Sequence, residues 1–353
     1  MATLKDIGAE LGLSPATVSR ALNGFPEVSA RTRAKVLETA ERLGYRPNRV
    51  AQRLVTGRSG MVGMIVRIRP DMSADQTFFE VVAGLSAELA ARDTDLVLAV
   101  DRGDDPVAAY RRMLERDILD GFILNAPVPD DPRVAFLQTA GVPFVMHGQT
   151  AREVDYPFYG IDNRAVAGDA VDLLCALGHR RIALLNAEPR LAFARDREAG
   201  FRAAMRAAGN ALPDIFVHAS AAIPGAGYAP AIGWLSGQAG PRPTAIVCSS
   251  TLLAADVLRA AADLGLPVPA GLSIIAHDDA QPGLRAAELA PPLTVTHAPL
   301  RDACAPLAEA LIAHIGGAPA RALQRCDRAE LIARASTGRV PQGGEAPWSS
   351  TGP

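Results

Sequence analysis

Apolar residues recur at helical spacing through the first 45 positions. Leu4, Ile7 and Leu11 share one face, Val18 and Leu22 a second, and Val36, Leu37, Ala40 and Leu43 a third. Start and stop signals bracket each run. Thr3, Ser14 and Ser29 stand at N-cap positions, Pro15 at a first helical position, and Gly12 and Gly44 at helix ends. The pattern predicts three helices, with a turn of about three residues between the first two, as in a helix-turn-helix. A fourth, shorter helix is predicted over 48–55, with Asn48 as cap and Ala51 and Leu54 on one face. It is too short to be stable alone.

From Met61 the period changes. Apolar runs at 61–68, 95–100, 121–125 and 143–147 alternate with amphipathic stretches near 78–92, 106–117 and 133–140. After a crossover near 159–163, further runs follow at 181–185, 214–218, 244–249 and 272–277. This is βαβ alternation, which predicts parallel sheets with helices on both faces. Two such series in tandem imply a two-lobed body whose cleft lies beyond the carboxyl ends of the strands.

Composition narrows the classes. The 353 residues are 49% hydrophobic, ample for a core, and no run of 18 apolar residues suggests a membrane span. The charged, helical opening MATLKDIGAE does not read as a secretory signal. Cys175, Cys248, Cys304 and Cys326 are scattered, with no metal-ligand spacing, and fit a reducing cytoplasm. No metal or cofactor is expected. Residues 341–353, rich in Gly, Pro and Ser, are expected to be disordered. Residues 1–58 carry ten Lys and Arg against five Asp and Glu, a net +5, which leaves −7 on the rest of a chain whose total is −2. A basic head on an acidic body directs a polyanion to one end. On the second helix Arg20 is the best candidate for reading a base, by bidentate pairing to guanine.

The order and spacing of residues 3–54 are similar to the DNA-binding headpiece of the LacI/GalR (lactose-repressor) family of transcription regulators. The resemblance implies that Pro15 and Ala16 are the variable base-reading pair. It places Thr3, Ser14, Thr17, Ser19, Asn23, Ser29, Thr32 and Tyr45 on phosphates of double-stranded operator DNA. For Ser14 and Ser29 a purely capping role is the competing reading, and one residue can do both. Residues 48–55 resemble the family's hinge helix, so that Asn48, Ala51 and Gln52 fit the hinge and Leu54 is the side chain wedged between central base pairs. Gly8 departs from the family's usual alanine and is expected to weaken the first helix by roughly 0.5–1 kcal/mol.

The body resembles the same family's periplasmic-binding-protein-like effector domain over essentially its full length. The resemblance is carried by LDGFIL (119–124), DNRAVAGDAVDLLCALGHRRIALL (162–185), DREAGFRAAMRAAG (196–209), the stretch 242–279 and PPLTVTHAPL (291–300). It implies a small sugar-like effector, a mono- or disaccharide, with Arg197 and Asp278 facing each other across the site. Asn125, Asp101, Phe78 and Phe79 stand at further cleft positions. An arginine and a carboxylate offer a polyol several hydrogen bonds. The competing reading is an Arg197–Asp278 ion pair that braces the lobes. Ser250–Thr251 replaces the family's usual Asn-Asp, and His297–Ala298 its usual Arg-Gln, which leaves the ligand open between a sugar and another metabolite. The segments 144–150 and 156–163 look similar to regulators of α-glucoside use and put His147 and Tyr159 in the cleft. For His147 a hydrogen-bonded strand-end residue is the alternative.

The boundaries read from the sequence are a headpiece at 1–47, a hinge at 48–58 and a body at 59–340. Within the body, the N-lobe is placed at about 59–160 plus 291–320 and the C-lobe at about 161–290 plus 321–340. With no leucine-heptad tail after 334, a homodimer is expected rather than a tetramer. An enzyme is disfavoured, since no dinucleotide fingerprint follows the first strand and no nucleophile elbow, HExxH or Walker loop is present. An exported sugar-binding protein would lack the headpiece. The expectation is a cytoplasmic transcription repressor of carbohydrate use, nucleoid-associated when on its operator.

Overall fold

The computed structural model describes residues 2–22, 24–45, 58–67, 76–101, 103–210, 216–237 and 240–340. Asn23, the hinge candidates Asn48, Ala51, Gln52 and Leu54, and the tail 341–353 lie outside them. The chain divides into two units, 1–59 and 60–353.

The described residues of the first unit form three helices, α1 (Leu4–Leu11), α2 (Pro15–Leu22) and α3 (Ala30–Arg42). Thr3 and Asp6 form a reciprocal capping box on α1, and Gly12 closes it at φ 65°. Ser14 Oγ accepts the Thr17 N–H at 3.1 Å, and Ser29 Oγ accepts the Thr32 N–H at 3.1 Å. Ile7, Val18, Ala21, Val28, Val36 and Ala40 form the core, with Leu4, Leu11, Leu13, Leu22, Leu43 and Tyr45 packed against it. Leu37, expected inside, is instead 50% exposed, because it sits one residue round the helix from the Val36–Ala40 face. Gly8 also needs a different account. A Cβ there would fall 2.5 Å from the Leu13 carbonyl oxygen, so the missing side chain lets the turn fold tightly onto α1.

The second unit holds two six-stranded sheets. Its strands are β1 (Met61–Arg67), β2 (Asp95–Asp101), β3 (Gly121–Leu124), β4 (Phe144–His147), β5 (Phe158–Ile161), β6 (Ile182–Asn186), β7 (Val217–Ala219), β8 (Ala245–Cys248), β9 (Ser273–Asp278), β10 (Thr294–His297), β11 (Gln324–Asp327) and β12 (Glu330–Ile332). The orders are β11-β5-β4-β3-β1-β2 and β12-β10-β9-β8-β6-β7. Every pairing is parallel except β10 with β12. Strands β3, β6, β8 and β9 are buried along their whole length, as expected of strands covered on both faces.

In the first lobe α4 (Gln76–Ala90) and α11 (Cys304–Ile315) cover one face through Leu85, Leu89, Leu307 and Leu311. On the other face α5 (Ala108–Glu115) and α6 (Pro132–Thr139) contribute Tyr110, Met113 and Leu137. In the second lobe α7 (Asn163–Ala176) and α8 (Ala192–Ala207) bury Val171, Leu174, Phe201 and Met205. Helices α9 (Tyr228–Leu235) and α10 (Thr251–Asp263) bury Trp234, Leu253 and Val257 against the opposite face. Helices α7 and α8 cross so closely that a Cβ on Gly200 would lie 2.1 Å from the Arg164 carbonyl oxygen.

The lobe boundaries drawn from the sequence are corrected at the C-terminal end. The PPLTVTH segment forms β10 beside β9 in the second sheet, whereas β11 pairs with β5 in the first. The chain therefore crosses between lobes after β5, after β10 and between β11 and β12.

Candidate DNA-reading helix and effector cleft

In the headpiece Pro15, Ala16 and Arg20 are exposed on α2, and Thr17 and Ser19 are half-buried. Arg20 Nε lies 3.9 Å from Glu27 Oε1, a loose and exposed pair that leaves the guanidinium able to exchange partners. Pro15 and Ala16 offer apolar contact alone. The two helix starts share one device. Ser14 and Thr17 hydroxyls lie 2.9 Å apart, and Ser29 and Thr32 hydroxyls 2.8 Å apart, each pair beside the unpaired N–H groups of a helix N-terminus. That arrangement can hold an anion as well as cap a helix. Thr3 is engaged with Asp6, and Tyr45 packs partly into the core.

In the body a cavity of about 1020 Å³ is lined by both lobes. The fold brings Phe78, Asn125, His147, Tyr159, Arg197 and Ser250 to its wall. Arg197, on α8, is 6% exposed. Its Nε donates to Asn163 Oδ1 at 2.9 Å and its Nη1 to the Ser249 carbonyl at 2.8 Å, while the guanidinium lies 4.9 Å from the Phe193 ring centre. Burial pushes its pKa down to about 10, and nearby Asp279 opposes that shift. Ser250 Oγ caps α10 by accepting the Leu253 N–H, so the serine keeps the capping chemistry of the usual Asn. Tyr159 donates its hydroxyl to Asp327 Oδ2 at 3.1 Å and stacks beside His147 with ring centres 6.5 Å apart. Burial, with Asp327 adding to it, pushes the phenol up to about 12, and desolvation pushes the His147 imidazole down to about 4.

Three expected cleft residues are not on the wall. Phe79 is 57% exposed and meets Phe78 edge-on, because neighbours on a helix point about 100° apart. Asp101 ends β2, the outermost strand of its sheet, and accepts the Gly103 N–H. Asp278 accepts from His297 Nδ1 at 3.1 Å and from the Ala280 N–H at 2.9 Å. The bracing Arg197–Asp278 pair is replaced by Arg197's bonds to Asn163 and Ser249. Residue alternation along β9 explains the miss: His277 and Asp279 line the cavity, and Asp278 between them does not.

Asn163, Phe193, Ser249, His277 and Asp279 are among the wall residues that sequence reasoning passed over, and His297, named above only as a departure from the family's pattern, joins them there. For His277 and Asp279 the signal was present in the strand's period of two. For Asn163 and Ser249 it was absent, because only the fold sets them against Arg197. Cys326 also lines the cavity, and all four cysteines are free. Among the described residues no helix is long and apolar enough to cross a membrane.

A helix-turn-helix unit followed by a two-lobed α/β body with a cleft between its lobes is the architecture of a class of DNA-binding regulators. Residues 3–48 match the family described as bacterial regulatory proteins, lacI family, and residues 171–337 match the periplasmic binding protein-like domain. The HTH-type transcriptional regulator AglR of Rhizobium meliloti (strain 1021) is 42% identical over 339 residues, covering 96% of this chain and 95% of the relative. A solved complex of the transcriptional regulator CelR with cellobiose is 27% identical, with a TM-score of 0.70 over 95% of this chain and 100% of that one. The lac repressor dimer bound to operator and the anti-inducer ONPF shares the fold, with a TM-score of 0.76 at 24% identity over 96% of this chain and 99% of that one. The chain belongs to the lacI family of bacterial regulatory proteins and is a DNA-binding transcriptional regulator, not an enzyme.

Proposed function

We propose that this regulator controls a carbohydrate-utilisation operon as a homodimer, and that a sugar in the inter-lobe cleft sets its operator affinity. The observation that carries this reading is Arg197. A desolvated guanidinium on the cleft wall, fixed by Asn163 and the Ser249 carbonyl, is positioned to donate to hydroxyl oxygens. Neutral hydrogen-bonding groups at Asn125, His147, Tyr159 and Ser250 surround the same space. The relative solved with cellobiose supports a glycan as the ligand class.

On the DNA side, Arg20 reads a base, Pro15 and Ala16 contact thymine methyls or sugar edges, and the hydroxyls of Thr3, Ser14, Thr17, Ser19, Ser29, Thr32 and Tyr45, together with Asn23, hold phosphates. Asn48, Ala51, Gln52 and Leu54 form the hinge contacts. Two headpieces read the halves of a near-palindrome. An inducer binds the free protein more tightly than the operator-bound protein, and a corepressor does the reverse. The test is a gel shift on the operator with mono- and disaccharides added singly. At least one sugar is expected to move the binding midpoint about tenfold or more, within the usual range of allosteric coupling. A midpoint unmoved by every sugar contradicts the reading.

A further inference from the structure

We infer that the cleft is built for an uncharged oligosaccharide of at least two sugar units, and that it rejects phosphorylated sugars. This rests on the sugar reading above and adds charge and size to it.

The electrostatics come first. Among the described residues the wall carries six carboxylates, Asp162, Asp196, Asp279, Asp302, Asp327 and Glu330, against four guanidinium groups. A phosphate monoester carries nearly two negative charges and is held by bidentate arginine forks or lysines. Among the described residues no lysine lines the cavity, and three of the four guanidinium groups already spend nitrogens on partners. Arg164 Nε donates to Asp196 at 3.0 Å, and Arg328 forks onto Asp169 at 2.6 and 3.2 Å. Arg197 is tied to Asn163 and the Ser249 carbonyl, with Phe193 against its face. Arg152, the fourth, is exposed.

His147 and His277 add no positive charge at neutral pH. Burial holds His147 down to about 4 and His277 well below the ordinary imidazole range. They serve instead as neutral donors and acceptors beside Asn125, Asn163 and Ser250. An entering phosphate would lose its hydration and meet more carboxylates than guanidinium groups, even with Asp327 held by Arg325 and Asp196 by Arg164. Hydroxyl groups suit neutral imidazoles, amides and carboxylates.

The volume sets the size. About 1020 Å³ stands at the upper end of the roughly 300–1,000 Å³ usual for small-molecule sites. Both lobes supply polar groups to the wall, Asn125, His147 and Tyr159 from the first and Arg197, Asn163 and Asp279 from the second, and Met64, Val81, Leu85, Ile123 and Leu307 add apolar ground on the first. Two or more sugar units can set hydroxyls against the polar groups of both lobes and C–H faces against the apolar side chains of the first.

The experiment is isothermal titration of the full chain with sucrose, maltose and trehalose, with a 6-phosphate of each, and with glucose and glucose 6-phosphate. A neutral disaccharide is expected to bind at least about 100-fold more tightly than its phosphate, since like charges brought together cost several kcal/mol. Glucose should bind at least about tenfold more weakly than that disaccharide. Asp279→Asn combined with Asp302→Asn should narrow the gap between neutral and phosphorylated ligand about tenfold or more. A phosphorylated sugar that binds as tightly as its parent, or glucose that matches the best disaccharide, overturns this inference and leaves the sugar reading standing. Absence of heat with every ligand overturns both.

Discussion

Arg197 concentrates the chemistry of the body in one side chain. It is buried, its pKa is pulled down by desolvation, and two of its donors hold Asn163 and the Ser249 carbonyl. Replacing it with alanine leaves those acceptors unpaired and removes the cation proposed to meet the ligand. Arg197→Ala is expected to abolish the effect of sugar on operator binding while operator affinity without sugar stays within about threefold, because the headpiece is a separate unit. A gel shift with and without sugar checks this, and an intact sugar response would remove Arg197 from the site. The residue type and its place in the DREAGF stretch made it legible in the sequence. Its partner was not. Asp278 was the obvious acid, but the pleat points it to His297 and puts Asp279, just past the strand, on the wall instead.

Elements show where local pattern suffices and where it fails. Caps, Gly and Pro signals placed α1, α2 and α3, since each is decided by a few consecutive residues. The C-terminal strands were harder. β10 and β11 are both short, and nothing local says which sheet a four-residue strand joins. Only the return of α11 to the first lobe decides it. Leu37 failed for a related reason, as it stands about 100° round the helix from Val36, on the side away from this small core. The α7–α8 crossing gives a sharp test of element packing. Gly200→Ala must push the Arg164 backbone away by more than an ångström, so the body should melt several degrees lower, a loss of about 1–3 kcal/mol typical of overpacking. Calorimetry on the variant checks it, and an unchanged melting temperature would mean the helices are not so closely crossed.

At the scale of the whole molecule, acid should destabilise the body. His147, His179 and His277 all have imidazoles held below their ordinary range by burial. A histidine depressed in the folded state takes up its proton first in the unfolded chain. Stability is therefore full above the unfolded value near 6.5 and falls as pH drops towards about 4, the value for His147. Asp131, held below its ordinary range by Arg133, adds a loss in the same direction at lower pH. Melting temperatures at pH 7.5 and pH 5 should differ, with the acidic sample lower, and a flat profile would contradict the buried neutral imidazoles.

The two-unit design, a basic headpiece before an acidic body, was visible in charge and periodicity from the outset, because both are summed over many residues. The most direct test of that design is reciprocal linkage. Sugar affinity is measured by isothermal titration on the free protein and on the protein saturated with its operator, and operator affinity is measured with and without sugar. The two ratios should be equal and differ from one by about tenfold or more. A sugar that binds free and operator-bound protein equally well would contradict the account, however tightly it binds.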